Sequence, residues 1–420
     1  MIIKKIDITG LRALKRATLE FAPGMNLIVG VNGVGKTTIL DAIRIALSAI
    51  LPEITAYKGF TTSFLKSDIL VGADGLQLSV DFLLDQRDFN LLIVKQHDKN
   101  KVDQEGVVRA QTFETPDIVT ISPSISDIGK ALKISRVQPV GIFFSTKRSL
   151  MINHQPRQTA AAGGQAAAFS EALSDKREFN LRTFAQWYHV QQELSSENPV
   201  ALKHLSALTG AIKNFLPEFD NLHVADTDGN FGFVIEKNGV PLFLWQLSDG
   251  ERGVLSLVMD IARRLSQANP ELDNPVKDGV AVILIDELDL HLHPKWQRMI
   301  VKNLTDTFQN CQFIATTHSP QIIPALEPAR ITLVKNNQTI RPERSLGMDS
   351  NWLLRHLMGG DDRPADASEA IVAVEDLILA TEFEEARNLI GKFRAEGFDL
   401  QEWSILEARI ARLEVIDDEE

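Results

Sequence analysis

Gly30-Val31-Asn32-Gly33-Val34-Gly35-Lys36-Thr37, residues 30–37, follows the apolar run MNLIV at 25–29 and opens the helical pattern TTILDAIRIALSAIL at 37–51, which stops at Pro52. Strand, glycine-rich loop and helix in that order are the context in which G-x-x-x-x-G-K-[ST] binds phosphate. Glycines let backbone N–H groups wrap a β-phosphate, and the helix beginning at Lys36 aims its positive end at the same charge. Lys36 reaches the β and γ oxygens, and Thr37 ligates Mg²⁺. The nucleotide-binding set is therefore Asn32, Gly33, Val34, Gly35, Lys36, Thr37 and Thr38. A plain glycine-rich turn is the bland alternative, and the flanking strand and helix argue against it.

Chemistry at a γ-phosphate also needs carboxylates, and the second half of the chain supplies AVILIDELDLHLHP at 281–294, an apolar strand ending in Asp286 and Glu287. Ligands bind at such strand ends in open parallel sheets. Asp286 is expected to hold the Mg²⁺ through water, and Glu287 to polarise the attacking water. Upstream, Leu247-Ser248-Asp249-Gly250-Glu251-Arg252 precedes a helix, and Ser248 with Glu251 three residues on is a capping box. The sharper reading places the Ser248 hydroxyl and the Gly250 N–H against a γ-phosphate held by another subunit. His291 and His293 are spaced i, i+2, but no third or fourth ligand pairs with them, which argues against a zinc site.

GVNGVGKTT, LSDGERG, LIDELDLHLHP and TTHSP, in that order, resemble the ABC-type ATPase heads of SMC, Rad50 and RecF proteins over residues 1 to about 50 and 240 to 335. The resemblance implies ATP hydrolysis with Mg²⁺ in a head-to-head dimer and a mixed and parallel α/β sheet fold. It makes LSDGER the signature motif and His318 the switch residue that senses γ-phosphate. Through the opening GLRALKRATLEF it places Arg12 near the nucleotide. The catalytic set is then Glu287, His318 and Lys36. The family's glutamine loop has no clear match, although Gln138 and VGIFFSTKR (140–148) lie near its place. The wording DELDLHLHPKWQR followed by QFIATTHSP, with EFEEARNLI in the tail, is similar to the ATPase subunits of Septu-type anti-phage systems, the PtuA proteins. That closer resemblance implies a separate HNH nuclease as partner and no nuclease site in this chain.

At 420 residues and 44% hydrophobic content the chain has room for several compact units. The motifs suggest an N-terminal ATPase lobe with a side sheet at 1–150 and a flexible segment with a helical insert at 151–235. A C-terminal lobe at 236–345 and a helical appendix at 346–420 complete the division. The insert has no sustained heptad and is too short for a coiled-coil arm. TAAAGGQAAAF, 159–169, suits a mobile connection, and Asn238-Gly239 suits a hairpin turn. No long apolar span or leader pattern is present, so a cytoplasmic protein away from membranes is expected. The lone Cys311 reads as a buried thiol. A net charge of −12 argues against a surface coated with nucleic acid. DNA remains possible through Lys66, Lys95, Lys99, Lys101, Lys147 and Arg148, although scattered surface cations are the default reading. Three other functions remain open: a RecF-like repair ATPase that binds DNA itself, a non-hydrolysing nucleotide switch, and a transporter ATPase, which the first hairpin and LSDGER disfavour.

Overall fold

The computed structural model describes residues 1–57, 61–96, 117–135, 137–146, 164–175, 179, 181–227, 230–335, 337–358, 365–398, 400 and 402–417. Along the chain run β1 (Ile2–Leu11), β2 (Leu14–Glu20), β3 (Met25–Val29), α1 (Lys36–Ile54), β4 (Gly75–Leu84), β5 (Arg87–Gln96), β6 (Ile118–Ser122), α2 (Ser126–Ile134) and β7 (Val140–Phe144). Next come α3 (Gln165–Phe169), α4 (Leu181–Leu194), α5 (Pro199–Phe215), β8 (Phe219–Thr227), β9 (Asn230–Lys237), β10 (Val240–Phe243), α6 (Asp249–Ala268) and α7 (Pro275–Asp278). The last elements are β11 (Ala281–Ile285), α8 (Pro294–Thr307), β12 (Cys311–Thr317), β13 (Ile331–Lys335), β14 (Gln338–Ile340), α9 (Ser350–Leu353), α10 (Ala365–Leu379), α11 (Phe383–Ala395) and α12 (Glu402–Asp417).

Two compact units result, Met1–Ser350 and Asn351–Glu420. In the first, a six-stranded sheet in the order β14-β13-β3-β12-β11-β7 carries the chemistry-bearing strands. Its strands from β13 to β7 are parallel, with β14 antiparallel at the edge. β3, β11 and β12 are buried along their whole length, as strands covered on both faces must be. A five-stranded antiparallel sheet, β2-β1-β4-β5-β6, packs through Ile6, Leu78 and Leu91 into the same apolar core as α1, Val282 and Ile314. Because α1 lies in that shared core, its apolar residues fall all round the helix and not on one stripe. The third sheet, β10-β9-β8, packs its Phe233 against Phe184 and Tyr188 of α4.

Several elements differ from the sequence reading. The hairpin formed by the opening GLRALKRATLEF turns at Arg12-Ala13 alone. α1 continues through Pro52 to Ile54, because buried Leu51 and Ile54 anchor its last turn and the Thr55 N–H bonds the Leu51 carbonyl. VGIFF forms β7, the strand beside β11. Gln165–Phe169 forms a short helix with Ala168 and Phe169 buried, where a mobile connection was expected; residues 151–163 lie outside the described residues. Asn238 and Gly239 do close the β9–β10 hairpin, with φ of 50° and 78°. The second unit is a small helical body whose core holds Trp403, Val374, Ile390 and Ile410.

Candidate nucleotide site

The phosphate loop leaves β3 at the C-terminal edge of the sheet, where Val29 pairs with Thr317 of β12 and Leu333 of β13. Gly35 precedes α1 with φ of 100°, a left-handed conformation that strains any residue with a Cβ. No side chain caps α1 and no acid stands in its first turn, so its leading N–H groups point at the loop with no side-chain acceptor. Asn32 and Gly33 are exposed on the crest of the loop, with Val34 half-buried behind them. The Lys36 ammonium donates to the carbonyls of Gly30 (2.7 Å) and Val31 (2.9 Å). Burial lowers its pKa, against the opposing pull of Asp286, Glu287 and Asp289.

β11 ends beside β12, and this places Asp286 opposite the loop. Its carboxylate accepts from the hydroxyls of Thr316 (2.6 Å) and Thr37 (3.1 Å). Two hydroxyl and carboxylate oxygens this close form the oxygen-rich donor set a hard cation prefers. Glu287 follows with φ of 49°, and its N–H donates to Thr316 Oγ1 at 2.7 Å. The Nε2 of His318 lies 3.3 Å from Asp289, whose carboxylate also accepts from Thr317 Oγ1 at 2.6 Å. Thr316, Thr317 and Asp289 lie within TTHSP and LIDELDLHLHP, and no motif assigns them a role. The available signal was hydroxyls at the end of a strand neighbouring the acidic one, where a buried carboxylate needs donors.

The structure thus gathers Lys36, Thr37, Asp286, Glu287 and His318 along one sheet edge. Arg12 stands on the β1–β2 turn with φ of 50° and is engaged by Asp41 of α1 and by Asp68, both at 2.9 Å. Gln138 is spent on structure: its amide caps the carbonyls of Leu132, Lys133 and Ser135, and its oxygen accepts from Ala56 N–H. Lys95 is buried in an ion pair with Asp117 at 3.1 Å and so cannot line a basic groove. Lys99, Lys101, Lys147 and Arg148 lie outside the described residues.

Ser248 and Gly250 open elsewhere, into a cleft of about 730 Å³ walled also by Lys237, Glu251, His291, His293 and Trp296. Among the described residues, none lining it comes from the phosphate loop. Ser248 caps α6 with the expected capping box. At Gly250 a Cβ would meet the His291 carbonyl at 2.6 Å, so the close approach of the two segments requires glycine. His293 caps α8, its Nδ1 accepting from the Lys295 N–H at 3.2 Å.

A phosphate loop after β3, paired acids after β11 and this mixed α/β body define an ABC-type ATPase with an SMC-head-like fold. The SMC head bound to the C-winged helix domain of ScpA superposes with a TM-score of 0.51 at 16% identity, covering 83% of this chain and 98% of that one. The chain belongs to the family described as AAA domain, putative AbiEii toxin, Type IV TA system, whose model matches residues 25–323. The probable ATPase of retron Ec83 from Escherichia coli is 26% identical over 97% of this chain and 86% of its own length. Septu protein PtuA of Bacillus thuringiensis is 25% identical over 77% of this chain and 74% of its own. Among the described residues no helix is long and apolar enough to cross a membrane.

Proposed function

We propose that this chain hydrolyses ATP in composite sites shared by two copies, and that the resulting dimer controls a separate nuclease, of the HNH class, in a bacterial defence complex. One observation carries the reading: Lys36, Thr37 and Asp286 converge on one sheet edge, while Ser248 and Gly250 face a separate cleft. In this reading the loop from Asn32 to Thr38 wraps the β- and γ-phosphates, with Arg12 at its flank. Glu287 orients the attacking water and His318 contacts the γ-phosphate. Thr37 and Asp286 fit a Mg²⁺ ion, which would neutralise phosphate charge. Ser248 and Gly250 meet the γ-phosphate of the other copy. No nuclease chemistry is assigned to this chain, and the similarity to PtuA and to a retron ATPase supports the defence role.

A mixing experiment tests the shared site. Lys36→Ala and Ser248→Arg proteins should each be inactive, and mixing them should restore turnover, because one of the two sites in a mixed dimer keeps both an intact loop and an intact signature. No recovery on mixing would sink the composite site. The partner is tested by expression with the neighbouring genes and tagged purification with and without ATP. An HNH protein in stoichiometric amount supports nuclease control, whereas ATP-dependent retention of DNA by the chain alone overturns it for a RecF-like repair role.

A further inference from the structure

The cleft beside α6 contains a charged cluster built round a buried carboxylate, which phosphate chemistry alone does not call for. Ser248 directs both its N–H (2.9 Å) and its hydroxyl (2.7 Å) to the same carboxylate oxygen of Glu251. The other oxygen of Glu251 accepts from the Lys237 ammonium at 2.5 Å. Glu251 is only 5% exposed, and the Lys237 ammonium also lies over the Phe219 ring, 5.6 Å from its centre. Lys237 ends β9, in the sheet that lies outside the ATPase strands.

An anion arriving at Ser248 meets two obstacles in this arrangement. The hydroxyl proton is already committed to Glu251, and the carboxylate itself repels a phosphate. Burial would raise the Glu251 pKa, yet the bonds from Lys237 and Ser248 outweigh it and hold the acid below its usual value, so the group stays ionised. A cation on the far oxygen weakens the carboxylate as an acceptor and cancels its charge.

We infer that Lys237 is a positioning residue for the contact that Ser248 makes to the phosphate of a second copy: it neutralises Glu251, so that the hydroxyl can be released from the cap to the incoming anion. This rests on the composite-site reading above. The same ion pair could be no more than a clamp of the β9–β10 hairpin on α6, and the two roles separate in a double variant.

The assay reads ATP-dependent association by light scattering, and turnover against protein concentration, in the full chain. Lys237→Met should raise the protein concentration for half-maximal turnover roughly 10-fold or more. Binding of a fluorescent ATP analogue by the dilute protein should stay within about 2-fold, since the phosphate loop is untouched. Lys237→Arg should behave as the original. The pair Lys237→Met with Glu251→Gln removes both charges, and association should return to within about 3-fold. A clamp predicts instead that the double variant is no better than Lys237→Met, and that result overturns the inference, as does unchanged association in Lys237→Met. Should Lys237→Met not fold, judged by circular dichroism, Lys237→Gln with and without Glu251→Gln takes its place under the same criteria. Failure of the mixing experiment removes the composite site and this inference together; recovery on mixing with an indifferent Lys237→Met removes this inference alone.

Discussion

Two helix N-termini in this molecule, those of α1 and α6, are finished differently. α1 begins after a left-handed Gly35 with no side-chain cap and no acid in its first turn. α6 begins with Ser248 in a complete capping box, with Asp249 and Glu251 in its first turn. A bare helix end leaves donors that a phosphate can satisfy at once, whereas a capped end is satisfied by its own chain and must exchange partners to bind. In the proposed dimer the loop of α1 binds phosphate within one copy, and the end of α6 makes a conditional contact when an anion arrives with a second copy.

The largest expected effect lies on the α1 side. Glu287→Gln keeps the size of the side chain and removes its charge, and turnover should fall by roughly 10²- to 10⁴-fold while ATP is retained. A phosphate-release assay beside equilibrium nucleotide binding checks this. Undiminished turnover would take Glu287 out of its role, and lost binding would show that the change disturbs the loop.

A smaller effect is expected at Asp289. Its carboxylate joins Thr317 to His318, so it orients the His318 side chain from behind. Asp289→Asn should preserve the threonine bond and lower turnover roughly 10-fold, the size expected for one charge-assisted bond, with little change in ATP affinity. Equal losses in affinity and turnover would point to a general collapse of the strand end instead.

How far the sequence discloses these two helix ends follows from how local each is. Glycine, lysine and threonine at fixed spacing name the α1 end, and Ser248 with Glu251 names the α6 cap, because both devices are built within one turn. β3 and β11 are legible as apolar runs because a motif follows each, whereas β7, an apolar run of the same length and burial, has no motif beside it to mark it. Partners distant in the chain left no such mark. Thr316 bonds Asp286 across 30 positions, and Lys237 reaches Glu251 of α6 from the end of β9. The two carboxylates that hold Arg12 come from α1 and from the Lys66–Asp68 turn. Lys95 reads as a surface cation until β5 and the residue before β6 enclose it with Asp117.

The smallest effects sharpen the comparison through stability in the absence of nucleotide. Ser248→Ala removes a satisfied cap and should cost about 1 kcal/mol in urea unfolding. Lys36→Met should change stability by no more than about 1 kcal/mol at neutral pH, because it removes a charge that burial disfavours. The pH dependence carries the sign. Lys36 has a folded pKa below its ordinary 10.5, so the unfolded chain binds more protons wherever pH lies between the two values. The charged lysine therefore burdens the fold fully below its depressed value, and the burden lifts as pH rises towards 10.5. The original protein should gain on Lys36→Met in that window, while Ser248→Ala runs parallel to it. A gap between the original and Lys36→Met that stays constant would show that the loop carbonyls of Gly30 and Val31 fully compensate the ammonium.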